Sequence, residues 1–210
     1  MKEYRVAYDL ILDLIPAGSR VLDLGCGDGL LLKLLQEKKQ VKGFGVEISP
    51  EGVGQCVEKG LYCYQGDIDE GLSDYKDNSF DYVIVNQTLQ STKKPDVVIR
   101  ESLRIALNAV FSFPNFAHYS LRLYLSLYGR MPKNKLLPYE WYETPNIHLL
   151  TIKDFRDYCR DFKYPIKKEM HFSTIRSRSV IIPAMPNLFA EYGFFVLDGQ
   201  PFTSATLYYD

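Results

Sequence analysis

Asp23 closes an apolar run two residues before Gly25 in "VLDLGCGDGLLLKLL", residues 21–35, and Glu47 ends "GFGVE" about twenty residues past that glycine turn. A glycine turn joining a strand to a helix brings backbone N–H groups close to a nucleotide-like ligand, and nearby acids decide which one. A dinucleotide site wants GxGxxG, with its third glycine where helix and strand touch. Here Gly25, Gly27 and Gly29 are followed by Leu30, so that glycine comes one position early. A carboxylate at Asp23 would also face and repel a pyrophosphate in a site of reduced dielectric. S-adenosylmethionine (SAM) reverses the sign. Its ammonium and sulfonium are cationic, so the same carboxylate attracts the ligand and accepts hydrogen bonds from the ammonium.

Glu47 lies at the offset where a carboxylate accepts both hydroxyls of a ribose, a feature that NAD and SAM sites share. Asp67 in "QGDID" follows a third strand, where its side chain or the adjacent amides meet an adenine edge, with Ile48 and Ile68 flanking the ring. Asn86 and Gln87 open "NQTLQ" after a fourth strand, at the carboxyl edge where ligands of open α/β sheets lie. Each has a plain structural alternative: a turn carboxylate at Asp23, a solvated acid at Glu47, a helix cap at Asp67, turn formers at Asn86 and Gln87. Asp28 is read as the N-cap of the helix that follows. The expected cofactor-binding set is Asp23, Gly25, Gly27, Glu47, Ile48, Asp67, Ile68 and Asn86, for SAM or S-adenosylhomocysteine.

Methyl transfer is an in-line displacement at an activated carbon, so it needs a positioned nucleophile and sometimes a base, and no single residue type. The tetrad used for amide-nitrogen methylation is missing; Asn86-Gln87-Thr88-Leu89 stands in its place. His118 and His148 are the candidate bases, with Tyr139, Glu140 and Tyr142 nearby, and the alternative is that each histidine packs within its own loop. His171 reads as a strand residue with no nameable partner.

The elements that must position these residues alternate. Apolar runs "RVLDL", "GFGVEI", "LYCYQG", "FDYVIV" and "NAVFSF" separate helices expected at 28–38, 50–59 and 95–107, after a leading amphipathic helix at 3–15. That order predicts an α/β, Rossmann-like, doubly wound and mostly parallel sheet. Residues 114–150 break the rhythm with a short helix at 118–128 and a proline- and aromatic-rich loop, an insertion after the fifth strand expected to act as a lid or binding surface. Tyr119, Tyr124, Tyr128, Tyr139, Trp141 and Tyr142, with Arg122 and Arg130, give it an interface-like composition, though aromatics are also ordinary core residues. Thr151 and Asp154 in "TIKDF" form a capping box for a helix to about Phe162, and strands near 164–172, 176–182 and 193–198 close the sheet.

At 210 residues, 46% apolar, one domain over 1–210 is expected. Lys plus Arg (25) nearly balances Asp plus Glu (26), giving no field that would gather nucleic acid or an anionic membrane. The charged N-terminal run is neither a signal peptide nor a membrane span, so a cytosolic protein is expected. Cys26, Cys56, Cys63 and Cys159 show no CxxC pair and no histidine at zinc spacing, which predicts reduced, individually packed thiols and no metal.

The chain resembles the class I SAM-dependent methyltransferases, and within them the methionine biosynthesis protein MetW family. The resemblance runs over about residues 15–170, through "VLDLGCGDG", "GVEI", "QGDIDEGL", "FDYVIVNQTLQ", "PDVVIRE", "FSFPNFAHY" and "GRMPKNKLLPYEWYETPNIHLLTIKDFRDYC". The last block is the most specific, because SAM binding does not demand it. The resemblance implies the seven-stranded sheet of that class. It also implies a SAM-binding protein of bacterial methionine biosynthesis that acts with and activates homoserine O-acetyltransferase. A catalytically active methyltransferase on a small-molecule acceptor is the alternative.

Overall fold

The computed structural model describes residues 7–134, 136–175 and 178–199. The strands are β1 (Arg20–Leu24), β2 (Lys42–Glu47), β3 (Tyr62–Gln65), β4 (Phe80–Asn86), β5 (Ala106–Pro114), β6 (Ile166–Glu169), β7 (Phe172–Ile175), β8 (Arg178–Ile181) and β9 (Tyr192–Asp198). The helices are α1 (Tyr8–Leu14), α2 (Leu30–Lys39), α3 (Pro50–Glu58), α4 (Pro95–Ile105), α5 (Tyr119–Tyr128), α6 (Ile152–Asp161) and α7 (Pro186–Phe189). All the strands share one sheet. Its order is β3-β2-β1-β4-β5-β9-β7-β8, with β6 also paired to β9; β3, β2, β1, β4 and β5 run parallel and β9 runs against β5.

Alternation along the central strands sorts the core into two layers. On β1, Leu22 and Leu24 join one cluster with α4 and α6, through Val98, Ile99, Leu103 and Phe155. Val21 joins the other, with Ile11 of α1 and Leu31, Leu32 and Leu35 of α2. Both faces are covered, which is why these strands read as nearly continuous apolar runs. The crossovers leave β1 on opposite sides toward β2 and β4, and that reversal opens a crevice at the carboxyl ends of the two strands.

Against the seven strands expected, nine strand segments form among the described residues. The strand expected at 164–172 is broken into β6 and β7, both antiparallel to β9, with Met170 N–H donating to the Phe194 carbonyl between them. A register shift places Lys167 as an extra residue between Ile166 and Lys168, and its ammonium pairs with Asp198 at 2.9 Å. β8 then pairs with β7 alone as an outer strand. The leading helix covers Tyr8–Leu14, and the part expected at residues 3–6 lies outside the described residues, as does the tail from 200. At α2 the N-cap is Gly29 rather than Asp28. Asp28 instead accepts from Leu30 N–H at 3.2 Å and pairs with Lys59. No described helix is long and apolar enough to cross a membrane.

Candidate functional site

Between β1 and α2 the chain turns through three left-handed glycines, with φ of 74°, 56° and 75° at Gly25, Gly27 and Gly29. Gly25 is pressed against Thr88, where an added Cβ would stand 2.5 Å from the side chain; at Gly27 the corresponding space is open. Glu47 ties this turn to the next loop. Its carboxylate accepts from Gly27 N–H at 2.8 Å through one oxygen and from Ser49 N–H at 2.9 Å through the other. Each carboxylate oxygen retains lone-pair capacity for a ligand hydroxyl.

Asp23 is 2% exposed and accepts no side-chain hydrogen bond among the described residues. Burial, and then the charge of Glu47, push its carboxyl up to about 7. Once ionised, such a buried acid would favour a cation such as the ammonium of SAM over a diphosphate.

The crevice holds about 280 Å³ and is walled by Gly25, Glu47, Ile48, Asp67, Ile68, Gln87 and Thr88, with Asp69 and Lys93 at its rim. Both isoleucines are on its walls, Ile48 exposed and Ile68 buried. Asp67 is also the cap expected as its alternative, accepting from Asp69 N–H at 2.9 Å. Asp69, which sequence reasoning passed over, accepts from Lys93 and Lys94 N–H at 2.8 Å each. Asn86 must be corrected. Its side chain accepts from the Ser112 hydroxyl on β5 and lies outside the walls, while Gln87, at φ 57°, and Thr88 take that place. Asp23 and Gly27 of the expected set do not wall the crevice either.

Neither candidate base lines the crevice. His118 caps α5, bound to the Ser120 hydroxyl at 2.8 Å, and burial holds its pKa below the ordinary histidine value. His148 borders a separate apolar cavity of about 280 Å³ with Leu89, Ile99, Phe155 and Tyr158, and its Nε2 has no partner there. His171, left without a partner by the sequence, sits between Glu169 and Arg156 at 2.9 and 3.1 Å.

Among the described residues, none of 114–150 lines the crevice, so the described insertion does not roof it. It is clasped from behind, where Ile147 and His148 N–H both donate to the Gln90 carbonyl, and Leu136 and Leu137 are buried in the core. Its aromatics face outward: Tyr119, Tyr124, Tyr128, Tyr139, Trp141 and Tyr142 are all exposed, Trp141 by 73%. The cysteines depart from expectation too. Cys26, Cys56 and Cys63 gather in one cluster, while Cys159 is buried in the opposite core layer. The pairing depends on topology, and no local spacing announces it.

The fold and its acid-lined crevice define a class I methyltransferase-like protein. A SAM-dependent methyltransferase from Mesorhizobium loti superposes with a TM-score of 0.68 at 16% identity, over 92% of this chain and 98% of that one. The family model described as "Methionine biosynthesis protein MetW" matches residues 5–197, and the chain belongs to the MetW family. A bifunctional methionine biosynthesis protein MetXA/MetW from Rhodopirellula baltica is 35% identical over 190 residues, 86% of this chain. A ubiquinone biosynthesis O-methyltransferase from Methylococcus capsulatus is 30% identical over 114 residues, 52% of this chain. The chain spans only 30% and 48% of the lengths of these two relatives.

Proposed function

We propose that this protein is a SAM-binding, methyltransferase-fold partner that activates homoserine O-acetyltransferase in bacterial methionine biosynthesis. The observation that carries the partner is the alignment with a chain that joins MetXA and MetW, since covalent fusion replaces an association that separate chains must make for themselves. The cofactor reading rests on Asp23, a buried acid for which no donor is found among the described residues, beside Glu47. Bound SAM would bring an electrophilic methyl carbon. The residues of this chain would hold it: Asp23 on the ammonium, Glu47 on the ribose, Ile48 and Ile68 against the adenine, Asp67 or the adjacent amides at its edge. S-adenosylhomocysteine keeps the ammonium and would use the same contacts.

Receptor function is favoured by the fused relative, since methyl transfer demands no particular residue type and the crevice itself suits either reading. Glu47, Asp67 and Asp69 each accept from backbone N–H groups, and the two candidate histidines stand elsewhere. A ligand held this way acts by binding one state of a complex better than another. Co-expression with the homoserine O-acetyltransferase tests the proposal: a stable complex and faster acetyl transfer than the acyltransferase shows alone are expected, and no complex with no rate change would overturn it. A second reading, methyl transfer to a small acceptor, draws on the similarity to the Methylococcus methyltransferase. It predicts S-adenosylhomocysteine formation from SAM when acceptors are supplied, with no need of the acyltransferase.

A further inference from the structure

The three clustered cysteines come from three elements around the cofactor crevice: Cys26 from the glycine turn, Cys56 from α3, and Cys63 from the edge strand β3. Cys26 Sγ lies 3.8 Å from Cys56 Sγ and 3.6 Å from Cys63 Sγ, and the three sulfurs all lie within 4.8 Å of one another. A tetrahedral zinc(II) centre with bonds of ~2.3 Å to sulfur sets its thiolates ~3.8 Å apart, so these sulfurs already stand near the edges of such a centre.

Two glycines clear the space. A Cβ at Gly45 would fall 2.5 Å from Cys26 Sγ, and one at Gly29 would fall 2.7 Å from Cys56 Sγ. Cys26 and Cys56 are buried, whereas Cys63 is half-buried on the outer strand, the side from which an ion would enter. An all-sulfur set selects thiophilic ions over magnesium or calcium.

We propose that Cys26, Cys56 and Cys63 form a site for a thiophilic d10 cation, zinc(II) in the first instance, that ties the glycine turn to α3 and β3. Three S–H groups release their protons to solvent as three S–Zn bonds form, and nothing is oxidised or reduced. The site does not depend on the identity of the cofactor or the partner, so its failure and theirs are separable.

Cobalt(II) is the probe, added to the full chain after chelation and reduction, with zinc(II) as competitor. One cobalt per chain with a thiolate-to-cobalt charge-transfer band, lost on adding zinc, is expected. Zinc should also raise the thermal midpoint and slow alkylation of the half-buried Cys63 in the folded chain. Cys63→Ser, at the half-buried position, should weaken cobalt binding about tenfold or more, and Cys159→Ser should leave it unchanged. Absence of the band from folded, reduced protein overturns the proposal. So does a band that survives both Cys26→Ser and Cys63→Ser, which would mark adventitious binding elsewhere.

Discussion

Ionising Asp23 inside the protein before a ligand arrives is unfavourable, and that cost can be measured. An acid whose pKa is higher in the folded chain binds its proton more tightly there. Its contribution to stability is therefore greatest below the unfolded value of 3.8 and declines as pH rises to about 7. At ~1.4 kcal/mol per tenfold, the full span is of order 4 kcal/mol. Asp23→Asn should accordingly stabilise the ligand-free protein at pH 8 by ~2–4 kcal/mol, with the gain shrinking toward pH 4; urea unfolding at several pH values checks this. An unchanged or lower stability at pH 8 would show that some other group satisfies the acid. The same carboxylate sets ligand affinity. Because a cation prefers the ionised form, SAM should bind more weakly as pH falls from 8 to 6, by no more than about tenfold per pH unit.

The sequence placed Glu47, Ile48, Asp67 and Ile68 where the crevice forms, because strand ends fix where such residues fall, whereas Asp23 and Gly27 stand off its walls. Asn86 was misplaced as well, since its partner Ser112 is supplied by β5 and only the pairing of β4 with β5 brings them together. Asp69 went unnoticed because its role, holding the Lys93 and Lys94 amides, spans a loop without periodicity.

Local rules held at α6 and failed at α2, where Gly29 and not Asp28 is the N-cap. Thr151 and Asp154 close the expected capping box on α6, with Asp154 accepting from Thr151 N–H and Thr151 Oγ1 accepting from Asp154 N–H. Thr151→Ala should destabilise the fold by ~0.5–2 kcal/mol in a denaturant titration, and no effect would mean that the helix end is held by its packing alone. The glycine turn makes a sharper contrast. Gly25→Ala meets both a left-handed backbone and the Thr88 side chain, whereas Gly27→Ala meets only the backbone. Backbone strain alone is worth ~1–3 kcal/mol, so Gly25→Ala should lower the unfolding midpoint more than Gly27→Ala. Equal losses would show that Thr88 yields freely. The broken strand at β6 and β7 escaped the sequence because the displacement of Lys167 depends on Asp198, a residue 31 positions away. For the same reason the cysteine cluster is invisible in a reading of local spacing.

On the whole molecule, the crevice and the exposed insertion are separate features joined through one short turn, Leu89–Ser91. Ser91 and Thr92 border the crevice, and Gln90 receives the backbone of Ile147 and His148. Ligand occupancy and the outer aromatic surface thus meet across a few residues. This is a route by which SAM would bias partner binding, provided the turn has two states. Leu127 and Trp141, exposed by 67% and 73%, are the test positions. If this face meets the acyltransferase, Trp141→Ala should weaken the complex by ~2 kcal/mol or more in a binding titration while leaving the thermal midpoint unchanged. Binding that survives Trp141→Ala and Leu127→Asp together would place the partner on another surface.

Calorimetry at pH 8 with SAM, using the native chain and Asp23→Ala, tests the central claim most directly. The account predicts saturable binding to the native chain, no comparable binding of NAD, and a loss of ~1.5–3 kcal/mol in the variant. Tighter binding of NAD than of SAM, or an unchanged SAM dissociation constant in Asp23→Ala, would contradict it.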